Sequence, residues 1–156
     1  MFFNIFFIIL LLWAAICATL ISIADFRRRI IPDAYLFPLI LTGLLLIAFY
    51  NWPISLTDAA IGATFGYLMS ALVGFVFDWH IHRKTPDAVA PIGLGDVKLI
   101  CVGGLWLGAN GLGIALVIAC IGGIIWARIK KQKYIPFGPF FIAGAVLALF
   151  TNQFLL

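Results

Sequence analysis

The acids of this chain are few enough to take one at a time. Glutamate is absent, and the carboxylates are Asp25, Asp33, Asp58, Asp78, Asp87 and Asp96. Asp96 stands in Pro91-Ile92-Gly93-Leu94-Gly95-Asp96-Val97-Lys98, a short polar break in a chain that is otherwise mostly hydrocarbon. A charged side chain in or near a bilayer is costly unless it pairs, snorkels or lines a wet cavity, so an acid in such a place is a candidate for chemistry. Asp25 closes another long apolar run. Two carboxyls that share a water and a proton can activate the water with one group and protonate a carbonyl oxygen with the other. Aspartic proteases work this way, because like charges at close range cannot both ionise comfortably.

The remaining polar residues read more simply. Asp33 fits the N-cap of a helix, and Asp58 fits the first turn of another. Asp78 and Asp87 fall in a polar stretch read as the longest exposed loop, from Asp78 to Pro91. Asp96 could itself be no more than a helix cap, and Asp25 no more than a partner for Arg28 or Arg29 one turn on. His80 and His82 flank Ile81 without a third spaced ligand, so they read as loop residues and no metal is expected. Cys17, Cys101 and Cys120 lie in apolar segments outside any C-x-x-C pair, which predicts small buried residues, with no disulfide framework and no cofactor site. Gly62, Gly66 and Ser70 recur at spacing four, a stripe suited to close helix packing.

These residues sit on elements that composition makes membrane-bound. Of 156 residues, 65% are hydrophobic and 10% charged, with a mean hydropathy of +1.18, well outside the soluble range. The net charge of +4 comes from clustered Lys and Arg without a basic face or interleaved aromatics, which excludes a nucleic-acid footprint. The prediction is a single all-α transmembrane domain, 1–156, with six spans: about 2–24, 34–50, 58–77, 95–108, 112–127 and 136–155. The first run is too long for a cleaved signal peptide and has no basic residues before it, so it is expected to stay as a span. Short turns are expected at Asn51-Trp52-Pro53 and Asn110-Gly111.

Arg27 to Arg29, Arg83 with Lys84, and Arg128 to Lys133 fall in the loops after spans one, three and five. The positive-inside rule puts those loops in the cytoplasm and both termini on the extracytoplasmic side. The arginines then suit anionic lipid headgroups of the bilayer. On this topology Asp25 and Asp96 lie at one depth, and side-by-side packing of spans one and four would bring them to a common water. Asp25 ends a helix and Asp96 begins one, so their roles are expected to differ: Asp25 as proton donor, Asp96 as base toward water. A small proton-coupled transporter using the two acids as a relay is the alternative, and an inactive scaffold a third reading.

The order of motifs resembles a known family. Asp25 to Asp33, with its arginines and Ile31-Pro32-Asp33, resembles the first active-site motif of the type IV prepilin peptidases. Gly93 to Leu99 is similar to their Gly-x-Gly-Asp motif, and Pro136-Phe137-Gly138-Pro139-Phe140 to the opening of their last helix. The resemblance implies an intramembrane aspartic endopeptidase of the bacterial inner (cytoplasmic) membrane. It would remove the basic leader of type IV prepilin or pseudopilin precursors at the cytoplasmic face, with Asp25 and Asp96 as catalytic residues. The N-terminal cytoplasmic domain of larger members, with its paired cysteines, has no counterpart in the sequence, so cleavage without N-methylation is expected.

Overall fold

A computed structural model describes residues 2–50, 52–83, 92–131 and 135–154. The chain is all-helical there: α1 Phe2–Arg28, α2 Asp33–Phe49, α3 Leu56–His82, α4 Leu94–Lys130 and α5 Phe137–Phe154. Among the described residues, Asn4–Arg28, Leu56–His82 and Leu94–Lys130 are helices long and apolar enough to cross a membrane, while Asp33–Phe49 and Phe137–Thr151 are shorter apolar helices. Large apolar side chains such as Phe37, Phe49 and Phe75 point outward, the surface a lipid-embedded protein presents.

α4 is the element that differs most from expectation. Gly108 has φ 68 and ψ 179, a backbone conformation that interrupts the helix and is accessible in practice only to glycine. A Cβ placed on Gly103 would lie 3.6 Å from Leu112 Cδ1. In a straight helix those residues would be separated by about 13 Å of rise. The chain therefore folds back at Gly108 into two legs, 94–107 and 109–130. The turn expected at Asn110-Gly111 does not form, because both residues are helical and the reversal has already happened at Gly108.

α3 also runs further than expected. Asp78, His80 and His82 belong to its last turns rather than to a loop, and His82 Nδ1 lies 3.0 Å from the Asp78 backbone oxygen, as an i,i+4 pair on one face permits. Asn51, Lys84, Asp87, Pro91 and Lys133 lie outside the described residues. The stripe of Gly62, Gly66 and Ser70 is buried and forms the packing face against α4. Gly62 and Gly104 meet backbone to backbone, so that a methyl on either would run into the other's carbonyl.

α5 packs along both legs, with Phe141 against Gly103 and Gly144 against Ala115. α1 packs on α2 and α5, and α2 on the first leg of α4. The core between them is built on Ile21, Leu46, Leu99, Leu107, Leu112 and Phe141, all fully buried. Within it, the Trp106 indole N–H donates to the Leu39 carbonyl at 3.1 Å, and that of Trp52 donates to the Trp106 carbonyl at 3.1 Å. The first bond ties α2 to α4 and the second ties the segment after α2 to α4, away from Asp25 and Asp96.

Candidate active site

Asp25 lies in the last turn of α1 and is only 5% exposed. Its carboxyl needs a donor there, because a buried polar group without one carries a large desolvation cost. The donor is the Gly138 N–H, 2.8 Å from Asp25 Oδ2. Gly138 is the second residue of α5, where the backbone N–H groups have no partner inside their own helix, and Pro139 beside it has none to offer. A Cβ on Gly138 would sit 3.1 Å from Oδ2 and 3.4 Å from Asp25 Cβ. Glycine is thus what lets the helix start approach so closely. Oδ2 is thereby engaged as an acceptor, which holds the carboxyl in one orientation.

Asp96 is in the first turn of α4, whose N-cap, Gly93, supplies no side chain. The Asp96 N–H donates to the Gly93 carbonyl at 3.0 Å, and its partly buried carboxyl lies back over Gly93, where an added Cβ would be 3.4 Å from Oδ2. Asp25 and Asp96 line one cavity of about 620 Å³, together with Arg29, Ile31, Gly95 and Phe137. The charge of Asp25 acts on Asp96, and that of Arg29 acts on Asp25. The cavity thus holds two carboxyls beside a space roomy enough for water, a pairing suited to acid–base chemistry.

The two acids do not meet in the way expected. No Cα of α1 lies within 8 Å of one in α4 among the described residues, so α1 and α4 are not packed side by side. They face each other across the cavity, joined by α5 on one side and by the connection between α1 and α2 on the other.

Of the other acids, Asp33 does not cap α2. The helix begins with Asp33 itself, and Pro32 precedes it as the cap position without a side-chain bond. The Asp33 carboxylate instead receives Lys98 Nζ on both oxygens, at 2.9 and 2.7 Å. Asp58 does occupy a first helical turn, where its N–H donates to Ser55 Oγ at 3.1 Å and Ser55 Oγ donates to its Oδ2 at 2.7 Å. Asp78 lies within 3.2 Å of His82 Nδ1. Among the described residues no group of three or more His, Cys, Asp or Glu could hold a metal. The cysteines are free, but only Cys17 is fully buried; Cys101 is partly exposed and Cys120 exposed on the outer face. Sequence reasoning missed Gly138 and the partner of Lys98. The first had a local signal, a glycine between Phe137 and Pro139 at a helix start. The second had none, since Asp33 and Lys98 are 65 residues apart.

Residues 5–128, which include both Asp25 and Asp96, match the model of the type IV leader peptidase family. Among curated proteins, the prepilin leader peptidase/N-methyltransferase of Escherichia coli K12 is 34% identical over 135 residues, covering 83% of this chain and 57% of the relative. The protein of the same name from Burkholderia pseudomallei is 32% identical over 144 residues, covering 86% and 44%. That from Pseudomonas aeruginosa is 32% identical over 153 residues, covering 93% and 49%. The chain thus spans about half the length of these relatives. No solved structure matches it. With the acids and the helices that carry them inside the matched stretch, the chain belongs to the type IV leader peptidase family.

Proposed function

We propose that this protein is an intramembrane aspartic endopeptidase that removes the leader peptide from type IV prepilin or pseudopilin precursors, with Asp25 and Asp96 as its catalytic residues. The observation that carries the reading is the shared cavity: two carboxyls from distant parts of the chain open onto one space, in a member of a leader peptidase family. The relatives' names supply the substrate class. Their second named activity, N-methylation, is no part of the proposal.

In the reaction, ionised Asp25, whose negative charge is supported by the Gly138 N–H on Oδ2, takes a proton from water as the oxygen attacks the scissile carbonyl carbon. Protonated Asp96 gives its proton to the carbonyl oxygen, producing a neutral gem-diol. The proton on Asp25 then passes to the amide nitrogen, the C–N bond breaks, and a diol proton returns to Asp96. These roles are the reverse of those expected from helix polarity, because a direct N–H donor acts more strongly on a carboxylate than the field of a helix end.

The membrane arrangement belongs to the same proposal. The fold-back at Gly108 turns α4 into two crossings, giving six in all, with both termini outside and the acids at the cytoplasmic face of the bacterial inner membrane. The reading is supported by Arg27 and Arg28 in the last turn of α1 and by Arg128 and Lys130 in that of α4. Arg83 stacks over Trp79 at 3.8 Å, a pairing suited to the headgroup region.

The test is cleavage of a purified prepilin precursor by the purified protein in detergent or vesicles, read as a mobility shift and by mass spectrometry of the new N-terminus. Asp25→Asn and Asp96→Asn are each expected to slow it by about 10² to 10⁴, with membrane insertion unchanged. Cleavage that survives both substitutions would defeat the assignment.

A further inference from the structure

We infer that Asp33 and Lys98 form a clasp between α2 and α4 that sets the spacing of the two carboxyls across the cavity, making both of them positioning residues. The inference rests on the reading of Asp25 and Asp96 as the reacting acids.

The need for such a device follows from the packing. α1 and α4 have no Cα atoms within 8 Å of each other among the described residues, so the distance from Asp25 to Asp96 must be transmitted by other elements. One route is the connection that leaves α1. It turns at Arg29, whose φ of 56 reverses the chain, passes through Ile30 to Pro32, and enters α2 at Asp33. This short segment is held to the first turn of α4 at two points that flank Asp96 in sequence. On one side, Ile31 is 8% exposed and lies against Gly95, where an added Cβ would come within 3.0 Å of Ile31 Cβ. On the other, Lys98 Nζ reaches both Asp33 oxygens, at 2.9 and 2.7 Å.

The packing contact sets how near the segment comes to α4. The ion pair sets its register along the helix, because an ammonium engaged with both oxygens resists sliding in either direction. The pair is about half exposed, and exposed ion pairs contribute little to global stability. Its effect is therefore local. A displacement of about 1 Å at a reacting group can lower a rate by about a hundredfold, so the clasp acts on turnover more than on folding.

The experiment compares Asp33→Asn, Lys98→Met, Lys98→Arg and the charge-swapped double variant Asp33→Lys with Lys98→Asp. The substrate is a prepilin precursor that one of the relatives cleaves, and thermal unfolding is measured in the same detergent. Asp33→Asn and Lys98→Met are expected to lower kcat by about tenfold to a hundredfold, with KM and the unfolding midpoint unchanged. Lys98→Arg, which keeps charge and reach, should stay near the wild-type rate, and the charge swap should recover most of the loss. Unchanged kcat in both single neutral variants would overturn the clasp. So would a loss that follows the unfolding midpoint and is not recovered by the swap. Asp25→Asn and Asp96→Asn run in parallel separate the two readings: if they still cleave, the catalytic assignment falls; if they are inactive while the clasp variants cleave normally, the clasp alone falls.

Discussion

The backbone N–H of Gly138 and the carboxylate of Asp25, 113 residues apart, are joined by a buried 2.8 Å hydrogen bond. The start of the last helix thereby orients an acid at the end of the first. A side-chain donor could rotate away, whereas an amide fixed in a helical turn cannot, so the orientation is a property of how α5 is seated.

Gly138 is accordingly sensitive to the smallest added side chain. An alanine methyl there would lie 3.1 Å from Oδ2, forcing α5 or the carboxylate to shift. Loss of a hydrogen bond to a charged group, about 1.5 to 3 kcal/mol, corresponds to a drop in cleavage rate of about tenfold to a hundredfold for Gly138→Ala. Gly138→Val should be worse. Rates measured beside a thermal unfolding curve check this, and a fully active Gly138→Val would refute it.

Cleavage should have a bell-shaped pH profile. The reaction needs one proton on the pair: activity falls on the acid side as the base is protonated, and on the alkaline side as the donor loses its proton. The limbs belong to the coupled pair rather than to either residue. Measurement of kcat/KM across pH decides the matter, a profile with only one limb being the contrary result.

Two glycines in α4 should respond oppositely to alanine. At Gly108 the space is open, with no neighbouring atom nearer than 3.7 Å to an added Cβ, yet the φ of 68 is unsuited to any side chain. Gly108→Ala should destabilise the protein by about 1 to 3 kcal/mol through the backbone alone. Gly113 is helical with nothing within 4 Å of an added Cβ, and Gly113→Ala should stabilise by about 0.5 to 1 kcal/mol. Unfolding midpoints in one detergent give the comparison.

Trp106→Phe separates stability from catalysis. It removes the indole N–H that reaches the Leu39 carbonyl at the end of the molecule remote from the acids. A stability loss of about 1 kcal/mol is expected, with the cleavage rate unchanged. An equal fall in rate would mean that the two ends are coupled.

The legible features in the sequence were those with local causes. Apolar run length predicted helices, the spacing of Gly62, Gly66 and Ser70 predicted a packing face, and the scarcity of acids left a list of six from which the family resemblance picks Asp25 and Asp96. The errors arose where one local signal outranked another. Asn110-Gly111 is a strong turn pair, but Gly108 turns the chain before it and leaves both residues helical. The polarity of Asp78 to His82 suggested a loop, although their spacing also suits a helix continuing past its apolar stretch. The partnership of Asp33 with Lys98 depends on two helices being placed together, and no nearby residue reports it.

The seam between Gly62 and Gly104 has a mechanical meaning. Where side chains interleave, helices can slide by changing rotamers, but here the two backbones abut and neither residue has a rotamer to change. α3 and the first leg of α4 thus form a closely locked wall carrying Asp96, while Asp25 on the opposite wall is held to the start of α5 through the Gly138 amide. On the proposed reading, Asp96 is thus carried by the wall of the cavity with the least room to adjust.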